Sequence, residues 1–310
     1  MNQTFFQEMK ACVSGGNGLA LEPMSKHTTF QVGGPADLFV SPSSPKELQG
    51  ALKLANQYGV PFFVVGNGSN LLVSDEGYRG MILQIGKNLS EIRIEDNIIT
   101  AQAGAMNSRV ARVALDHGKT GCEFAAGFPG SIGGAAAMNA GAYGGEMKDV
   151  LKEGRALTPE GEFVTLSTEE MDLSYRHSVI FVKGYLVVSV KMELQPGGQK
   201  EIQAKMDDLM GRRREKQPLE FPSAGSTFKR PEGYFAGKLI QDTGLKGYTV
   251  GGAQVSEKHS GFVINKGGAT AEEIVFLMAQ VQKKVHDKFG VWLEPEVRLV
   301  GFPKGTLRVK

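Results

Sequence analysis

The chain lacks several features that would place it in a familiar class of protein at once. Only two cysteines, Cys12 and Cys122, occur among 310 residues, which excludes a disulfide framework and favours reduced thiols. No apolar run reaches the ~18 residues that a membrane-spanning helix needs. The first residues, Met1 to Lys10, carry no basic stretch followed by an apolar core, so no signal peptide is expected. These absences predict a soluble, cytoplasmic protein.

An excess of charge of one sign is also missing. The 35 Lys and Arg residues nearly balance 33 Asp and Glu residues, and the net charge of +2 disfavours a strongly basic nucleic-acid-binding protein. The five histidines are scattered without a His-x-x-x-His pair, and no Cys-x-x-Cys occurs, so no metal site is predicted. No Walker lysine motif is present, which disfavours nucleotide hydrolysis.

Glycine, by contrast, is abundant. The 41 glycines are nearly twice the usual share of ~7%. They follow no period and cluster at 66–68, 127–145 and 244–268. Such clusters indicate backbone that lies close to a ligand.

The first glycine cluster follows an apolar run, Phe62–Val65, which predicts a buried strand. Glycines at both ends of Gly66-Asn67-Gly68 permit positive φ, so successive N–H groups can face one concavity and hold the diphosphate of a cofactor. An ordinary Asn-Gly turn is the alternative. The candidate cofactor residues here are Gly66, Asn67, Gly68, Ser69, Asn70 and Leu71.

The second cluster, residues 125–144, is nearly free of charge and of bulky side chains. Backbone of this kind can lie flat along a planar, uncharged group such as an isoalloxazine ring. A tightly packed helix pair is the alternative. Neither cluster is a Rossmann fingerprint, because the third glycine and the immediate helix are missing. The candidate residues are Gly127, Pro129, Gly130, Ser131, Gly133, Gly134, Ala140 and Gly141.

Hydrophobic periodicity predicts several regular elements, and Thr270 with Glu273 predicts a capping box at the start of the last helix. The predicted helices are Pro45–Tyr58, Met106–His117, about 200–216 and about 271–289. Further strands are predicted at Ile92–Ile94, Ile98–Ala103, Phe163–Leu166, Leu186–Leu194 and Val297–Val300.

The two glycine clusters together resemble the flavin-binding domain of the vanillyl-alcohol-oxidase and p-cresol-methylhydroxylase superfamily. Five further motifs occur in the expected order: Thr28–Ala36, Ser174–Ser178, Ala224–Pro231, Ala236–Gln241 and Glu294–Arg298. With them, nearly the whole chain resembles the UDP-N-acetylenolpyruvoylglucosamine reductases, FAD enzymes that make the peptidoglycan precursor UDP-N-acetylmuramate.

The resemblance implies an α+β fold with a two-subdomain FAD-binding region of the p-cresol-methylhydroxylase type. The subdomains would be residues 1–90 and 91–198. A smaller α+β substrate-binding domain would follow at 199–295, and a C-terminal strand at 296–310 would return to the flavin region.

The resemblance also implies the chemistry, that of an NADP-dependent oxidoreductase. A hydride would pass from FAD N5 to C3 of an enolpyruvyl ether, and Ser226 would protonate C2. Arg176 and Glu296 would stabilise the enol intermediate, since a guanidinium suits a planar oxyanion and a protonated carboxyl can bond a carboxylate. Lys229 is our hypothesis for the group that shares the charge developing on Ser226.

For the nucleotide sugar, motif position implies contacts from Tyr175, Lys216, Lys229, Arg230 and His259. Arg230 and His259 stand where the longer form of the family carries Asn and Gln. Only nine residues separate Arg176 from Leu186, so the chain resembles the short form without the tyrosine-bearing loop. Residues 212–214, all arginine, predict either a phosphate funnel or a solvated helix face, and we favour the solvated face.

Histidine is absent between Thr28 and Asp116, which predicts non-covalent FAD. No second dinucleotide fingerprint occurs, so NADPH and the UDP-sugar are expected to use one shared pocket in turn. We expect a monomer rather than an obligate oligomer, with no nucleic-acid or membrane partner. Two other interpretations stay open: an alcohol or hydroxy-acid oxidase of the same superfamily, and a non-enzymatic nucleotide-binding protein.

Overall fold

The structure, a computed structural model, describes residues 3–14 and 17–308. The helices in this part of the chain are α1 (Gln3–Cys12), α2 (Pro45–Gln57), α3 (Asn107–Asp116), α4 (Ile132–Ala137), α5 (Val179–Lys183), α6 (Gln199–Lys216), α7 (Ala236–Asp242) and α8 (Ala271–Phe289). Short 3-10 helices cover Met24–His27, Lys87–Leu89, Glu123–Ala125 and Met147–Asp149.

The strands are β1 (Gly18–Pro23), β2 (Pro35–Val40), β3 (Phe62–Val65), β4 (Leu71–Val73), β5 (Tyr78–Gln84), β6 (Ile92–Glu95), β7 (Ile98–Gln102), β8 (Lys119–Thr120), β9 (Gly141–Ala142), β10 (Gly145–Glu146), β11 (Leu151–Leu157), β12 (Phe163–Ser167), β13 (Leu186–Glu193), β14 (Gln195–Pro196), β15 (Thr249–Val250), β16 (Ala253–Val255), β17 (Val263–Asn265) and β18 (Arg298–Val300). Among the residues described, no helix combines the length and apolar character needed to cross a membrane.

The chain folds into two compact units, and each is built from separate stretches of sequence. The first unit comprises Met1–Ala20, Leu38–Asn67 and Gly80–Arg213. The second unit comprises Leu21–Asp37, Gly68–Arg79 and Arg214–Lys310. Each unit has its own cluster of buried apolar side chains.

The first unit contains a five-stranded antiparallel sheet in the order β12-β11-β13-β7-β6. On β7, Ile99 and Ala101 are buried while their neighbours are half-buried, which is the alternation expected of a strand with one face in the core. β3 pairs in parallel with β5, with Phe62 opposite Met81. Because β3 ends at Val65, the first glycine cluster begins where this pairing ends.

The second unit contains the antiparallel sheet β15-β16-β17, against which α8 packs. Along α8, Ile274, Leu277, Met278 and Val281 are buried at helical spacing. Thr270 and Glu273 form the predicted capping box, and Gly290 in the left-handed region (φ 70°) ends the helix. Local signals therefore define both ends of this helix.

The C-terminal strand β18 pairs in parallel with β4, with Arg298 opposite Leu71 and Val300 opposite Val73. This pairing joins the end of the chain to residues that follow the first glycine cluster. The sequence had placed those residues in the first FAD-binding subdomain.

The predicted helices and strands are present with ends shifted by one or two residues, as for β7, which ends at Gln102 rather than Ala103. The predicted division into domains differs more from the structure than the predicted helices and strands do. The structure divides the chain after Arg213 and groups 21–37 and 68–79 with the C-terminal part. The boundaries at 90, 198 and 295 stay a prediction about subdomains, and their outermost residues, 1–2 and 309–310, lie outside the described residues.

Candidate functional site

The loop after β3 carries a row of backbone N–H groups that are free to bind a ligand. Within the described residues, none of the N–H groups of residues 66–70 donates a hydrogen bond to another protein group. At Gly68, φ is 64° and an added Cβ would lie 1.9 Å from the carbonyl oxygen of His27, so only glycine fits. Successive unpartnered N–H groups in a tight loop suit an anion such as a diphosphate.

In the first unit, the start of this loop lies against the second glycine cluster. An added Cβ on Gly66 would come 2.4 Å from Ser131 Oγ. Asn67 Nδ2 donates to the carbonyl oxygen of Pro129 at 2.5 Å. Asn107 Nδ2 donates to the next carbonyl oxygen, that of Gly130, at 2.7 Å. Two asparagine amides therefore fix the backbone of the glycine-rich loop on one side.

The second glycine cluster contains an open loop, which could lie along a ligand, and a closely packed helix. Residues 127–131 form an open loop, and the N–H groups of Gly130 and Ser131 have no acceptor among the residues described. The short helix α4 follows directly and packs closely, since an added Cβ on Gly133 would lie 2.5 Å from Ala103 Cβ. Gly134, the next residue of α4, is exposed.

The end of the cluster forms a hairpin from β9 and β10. Gly141 begins β9, where an added Cβ would lie 2.6 Å from the Cβ of Glu146 on β10. The carbonyl oxygen of Ala140 accepts a hydrogen bond of 3.0 Å from the N–H of Met147. Small residues are therefore required here for close backbone packing within the protein itself.

These features fit FAD. In the first unit, positions 66 and 127–131 form a cradle that side chains would partly fill, and the N–H groups of Gly66, Gly130 and Ser131 offer the donors that the acceptor oxygens of a diphosphate require. Asn107 is only 1% exposed, and its Oδ1 is buried without a hydrogen-bond partner in the described chain. A hydroxyl or ring N–H of a bound ligand would supply a donor for this acceptor.

Arg176 occupies the tip of a tight turn in the first unit. Ser174 and His177 exchange backbone hydrogen bonds of 3.1 and 3.2 Å across this turn. Arg176 has φ of 54°, a left-handed conformation that is uncommon for a residue with a side chain. Its guanidinium carbon lies 5.0 Å from the ring centre of the exposed Tyr175. The strained turn holds both predicted substrate-contacting side chains at one tip.

Ser226 and Glu296 lie on neighbouring segments of the second unit. Ser226 is exposed and follows Gly225, whose φ is 75°. The carbonyl oxygen of the next residue, Thr227, accepts the N–H of Glu296 at 2.9 Å. Thr227 itself is buried and its Oγ1 accepts the N–H of Val263 at 2.8 Å. The predicted proton donor and the predicted carboxyl group are thus held by one anchored residue.

Glu296 also lies beside the end of the cofactor loop. Asn70 Nδ2 donates to the carbonyl oxygen of Glu296 at 3.0 Å, and the N–H of Arg298 donates to the carbonyl oxygen of Asn70 at 3.0 Å. Ser69, which lies between Gly68 and Asn70 in the sequence, is half-buried, and Leu71 begins β4. Within the second unit, the predicted cofactor and catalytic motifs therefore meet.

The surroundings of His259 favour its neutral form. Its Nδ1 accepts the N–H of Gly261 at 3.1 Å, which leaves Nε2 to carry the proton. Burial lowers the pKa of the imidazole below its ordinary value. The carbonyl oxygen of Gly261 accepts the N–H of Thr227 at 2.9 Å, so His259 is linked to the segment that carries Ser226.

The predicted cations have different surroundings. Lys229 Nζ lies 2.5 Å from Glu294 Oε1, and no hydrogen bond joins Lys229 to Ser226 in the described part of the chain. The exposed Arg230 stacks on Phe235 at 4.5 Å from the ring centre. Lys216 is exposed at the end of α6. The hypothesis that Lys229 serves Ser226 directly has no contact to support it.

Arg213 was not among the predicted site residues. Arg212 follows the solvated-face interpretation, being exposed and paired with Asp208 at 2.8 Å. Arg213 instead turns inward: an added Cβ on Gly127 would lie 3.1 Å from its Cδ, and burial lowers its pKa. No carboxylate pairs with it among the residues described. Its helical spacing from the buried Met206 was a signal that could have found it.

The fold and the cradle define a FAD-binding protein with a separate α+β C-terminal domain. A family model described as FAD binding domain matches residues 36–167, which confirms the FAD prediction. The model of the UDP-N-acetylenolpyruvoylglucosamine reductase C-terminal domain matches residues 217–300. The two matches also confirm the predicted α+β class, a FAD-binding region followed by a smaller domain.

Curated relatives extend the similarity over the whole chain. The UDP-N-acetylenolpyruvoylglucosamine reductase of Agathobacter rectalis is 52% identical over 313 residues, covering 97% of this chain and 99% of that protein. That of Clostridioides difficile is 51% identical over 280 residues, with 90% and 92% covered. The crystal structure of the enzyme from Thermus caldophilus superposes with a TM-score of 0.78 at 32% identity, covering 90% of this chain and 97% of that one. The chain belongs to the UDP-N-acetylenolpyruvoylglucosamine reductase family.

Proposed function

We propose that this protein is the NADPH-dependent flavoenzyme that reduces the enolpyruvyl ether of UDP-N-acetylglucosamine enolpyruvate to UDP-N-acetylmuramate, a precursor of peptidoglycan. The observation that carries the catalytic assignment is the bond between Thr227 and Glu296, because it holds Ser226 and Glu296 on adjacent segments. The near full-length similarity to reductases of this name supports the substrate class.

FAD, when bound and reduced by NADPH, would supply a hydride for C3 of the enolpyruvyl group. The residues that would hold it are the 66–71 loop and the 127–141 segment, whose unpartnered N–H groups match the diphosphate. Non-covalent attachment is part of the proposal.

Arg176 and Glu296 would bind the substrate carboxylate, where negative charge accumulates as the hydride arrives. A guanidinium presents parallel donors to a planar oxyanion, and Arg176 lies at the tip of a strained turn. Glu296 would contribute a donor only in its protonated form. Donors aimed at developing charge typically contribute ~10²–10³ in rate.

Ser226 would deliver the proton to C2, which completes the addition of one hydride and one proton across the double bond. Its exposure after the Gly225 turn leaves the hydroxyl accessible to substrate. Because Lys229 pairs with Glu294, we assign it no role in proton transfer and keep it as a substrate-binding residue, together with Tyr175, Lys216, Arg230 and His259.

We further propose that NADPH and the UDP-sugar occupy the same pocket in turn, and that the protein acts as a cytoplasmic monomer without nucleic-acid or membrane partners. Alternate occupancy predicts ping-pong kinetics, in which raising the concentration of one substrate causes competitive inhibition against the other.

The test is anaerobic reduction of the yellow protein by NADPH, followed by addition of the enolpyruvyl substrate. The flavin absorbance should bleach and then return, and in D₂O the product should carry solvent deuterium at C2. Rapid bleaching by a simple alcohol or hydroxy acid, with none by NADPH, would instead indicate an oxidase. A purified protein without releasable FAD would indicate a nucleotide-binding protein.

A further inference from the structure

One buried asparagine joins the turn that carries Arg176 to the end of the second glycine cluster, and both segments belong to the first unit. Asn139 is 0% exposed, and its Nδ2 donates a hydrogen bond to the carbonyl oxygen of Ser174 at 3.2 Å. That same oxygen accepts the N–H of His177 at 3.1 Å, the bond that closes the turn. Asn139 also directly precedes Ala140, one of the predicted cofactor residues.

The orientation of the Asn139 amide is determined by two other partners. Nδ2 also donates to Glu146 Oε2 at 2.9 Å, and Oδ1 accepts the backbone N–H of Lys148 at 2.9 Å. Only the nitrogen can donate to a carboxylate, and only the oxygen can accept an N–H, so the amide cannot be flipped. The remaining N–H is therefore directed at Ser174 by bonds that the turn itself does not make.

The position requires both donors of an asparagine. Its backbone is left-handed, with φ of 45°, a conformation that Asn and Asp adopt more readily than most residues with a side chain. An aspartate could take the same backbone conformation, but its ionised carboxylate only accepts hydrogen bonds. It would face the Ser174 carbonyl and the Glu146 carboxylate without a donor for either.

A second buried side chain attaches the other end of the turn to the same cluster. Ser178 is 0% exposed, and its Oγ donates to the carbonyl oxygen of Ala137. The residues on either side of Tyr175–His177 are thus bonded to two positions of the cluster that lie only two residues apart. The turn cannot shift along the cluster without breaking a buried hydrogen bond, which costs the desolvation of the groups left unpaired.

We propose that Asn139 is a positioning residue that holds Arg176 in place relative to the predicted flavin-binding segment. The guanidinium then meets the substrate carboxylate while C3 lies at the flavin. Asn139 is completely buried by the protein itself, so it acts through the turn and does not bind the substrate. This inference rests on the proposed function, because it takes the carboxylate to be that of the enolpyruvyl group.

The test variant exchanges two partners, combining Asn139→Asp with Glu146→Gln. The exchanged pair can again form its mutual hydrogen bond with the amide now at position 146, and the acceptor for the Lys148 N–H is retained. Only the donor to Ser174 is lost. Glu146→Gln alone is the matched control, because its amide oxygen can still accept from Asn139 and its ion pair with Lys148 is partly exposed.

Anaerobic stopped-flow absorbance follows the two half-reactions separately. Reduction of the flavin by NADPH should stay close to the wild-type rate in both variants. Reoxidation by the enolpyruvyl substrate should slow by about 10- to 100-fold in the exchanged pair, the usual cost of a small misplacement, and remain near wild type in the control. In an Arg176→Met background the exchange should cause little further loss, since no guanidinium is left to misplace.

Binding to the oxidised enzyme gives a readout that does not depend on turnover. UDP-N-acetylmuramate carries the lactyl carboxylate and UDP-N-acetylglucosamine lacks it, so the ratio of their calorimetric affinities reports the carboxylate contact. The exchange should lower this preference by roughly 10-fold, the usual range for a hydrogen bond to a charged group, and leave the affinity for UDP-N-acetylglucosamine unchanged.

Three results would overturn the positioning role. They are a wild-type carboxylate preference in the exchanged pair, an equal slowing of reoxidation with and without Arg176, and loss of FAD from the exchanged pair, which would show that Asn139 serves the cofactor segment as a whole. A wild-type enzyme that the enolpyruvyl substrate does not reoxidise would instead remove the proposed function, and this inference with it.

Discussion

The backbone N–H of Glu296 donates a hydrogen bond of 2.9 Å to the carbonyl oxygen of Thr227, the residue that follows Ser226. The bond joins two motifs that lie about seventy residues apart in the sequence. Because the Thr227 side chain is itself anchored at Val263, the positions of Ser226 and Glu296 depend on each other. The predictions below test this arrangement and the glycine cradle.

Replacing Ser226 by alanine should separate the two half-reactions. Reduction of the flavin by NADPH should stay close to the wild-type rate, because the hydroxyl takes no part in it. Reoxidation by the enolpyruvyl substrate should slow by ~10²–10⁴, the range typical of general acid catalysis. Anaerobic stopped-flow absorbance measures both steps, and normal reoxidation in the variant would exclude Ser226 as the proton donor.

Gly68→Ala should abolish or strongly weaken FAD binding. The new Cβ would meet the His27 carbonyl oxygen at 1.9 Å, so the loop would have to move. Gly59→Ala is the matched control, since Gly59 has a similar φ of 60° with nothing within 4 Å of the added Cβ. It should cost only the ~1–2 kcal/mol of left-handed strain. Flavin fluorescence titration and melting curves check both variants, and equal FAD affinity in the two would contradict a role of the Gly68 loop in FAD binding.

Arg213→Gln should weaken FAD binding by about 10- to 100-fold, the usual range for a hydrogen bond to a charged group. The guanidinium lies against Gly127 without a carboxylate partner among the described residues, which leaves its charge for an anionic ligand. Arg212→Gln removes an exposed pair with Asp208 and should leave FAD affinity nearly unchanged. The apo form of Arg213→Gln should be no less stable than wild type, which distinguishes ligand binding from a structural role.

The free energy of unfolding should fall at acidic pH, partly because His259 becomes protonated. Burial holds the pKa of the folded imidazole below its unfolded value of about 6.5. The neutral form therefore contributes stability that is fully present above pH ~6.5 and is lost as the pH falls through the folded pKa. Melting temperatures of the wild type and of His259→Gln should diverge in this window, with the wild type declining more steeply. Parallel profiles would mean that the ring is protonated equally in both states.

Local sequence signals were sufficient for most regular elements. Helix α8 has its predicted ends because Thr270 with Glu273 and Gly290 act on their own neighbourhoods. The strand β3 and the loop after it follow from a change of composition within a few residues. By contrast, the composition of the second glycine cluster was compatible with a loop or with a packed helix, and the structure contains both, with Gly133 of α4 packed closely against Ala103.

The sequence by itself determined the family, the cofactor class, the order of the motifs and the residue types that the chemistry needs, since these depend on composition and spacing along the chain. The tertiary structure decided which distant residues pair and which side chains turn inward. It paired β18 with β4, brought Lys229 into an ion pair with Glu294, and turned Arg213 and not Arg212 inward. Such contacts join residues that are distant in sequence or select one face of a helix, and the free energy that settles them comes from burial, which the linear order does not specify.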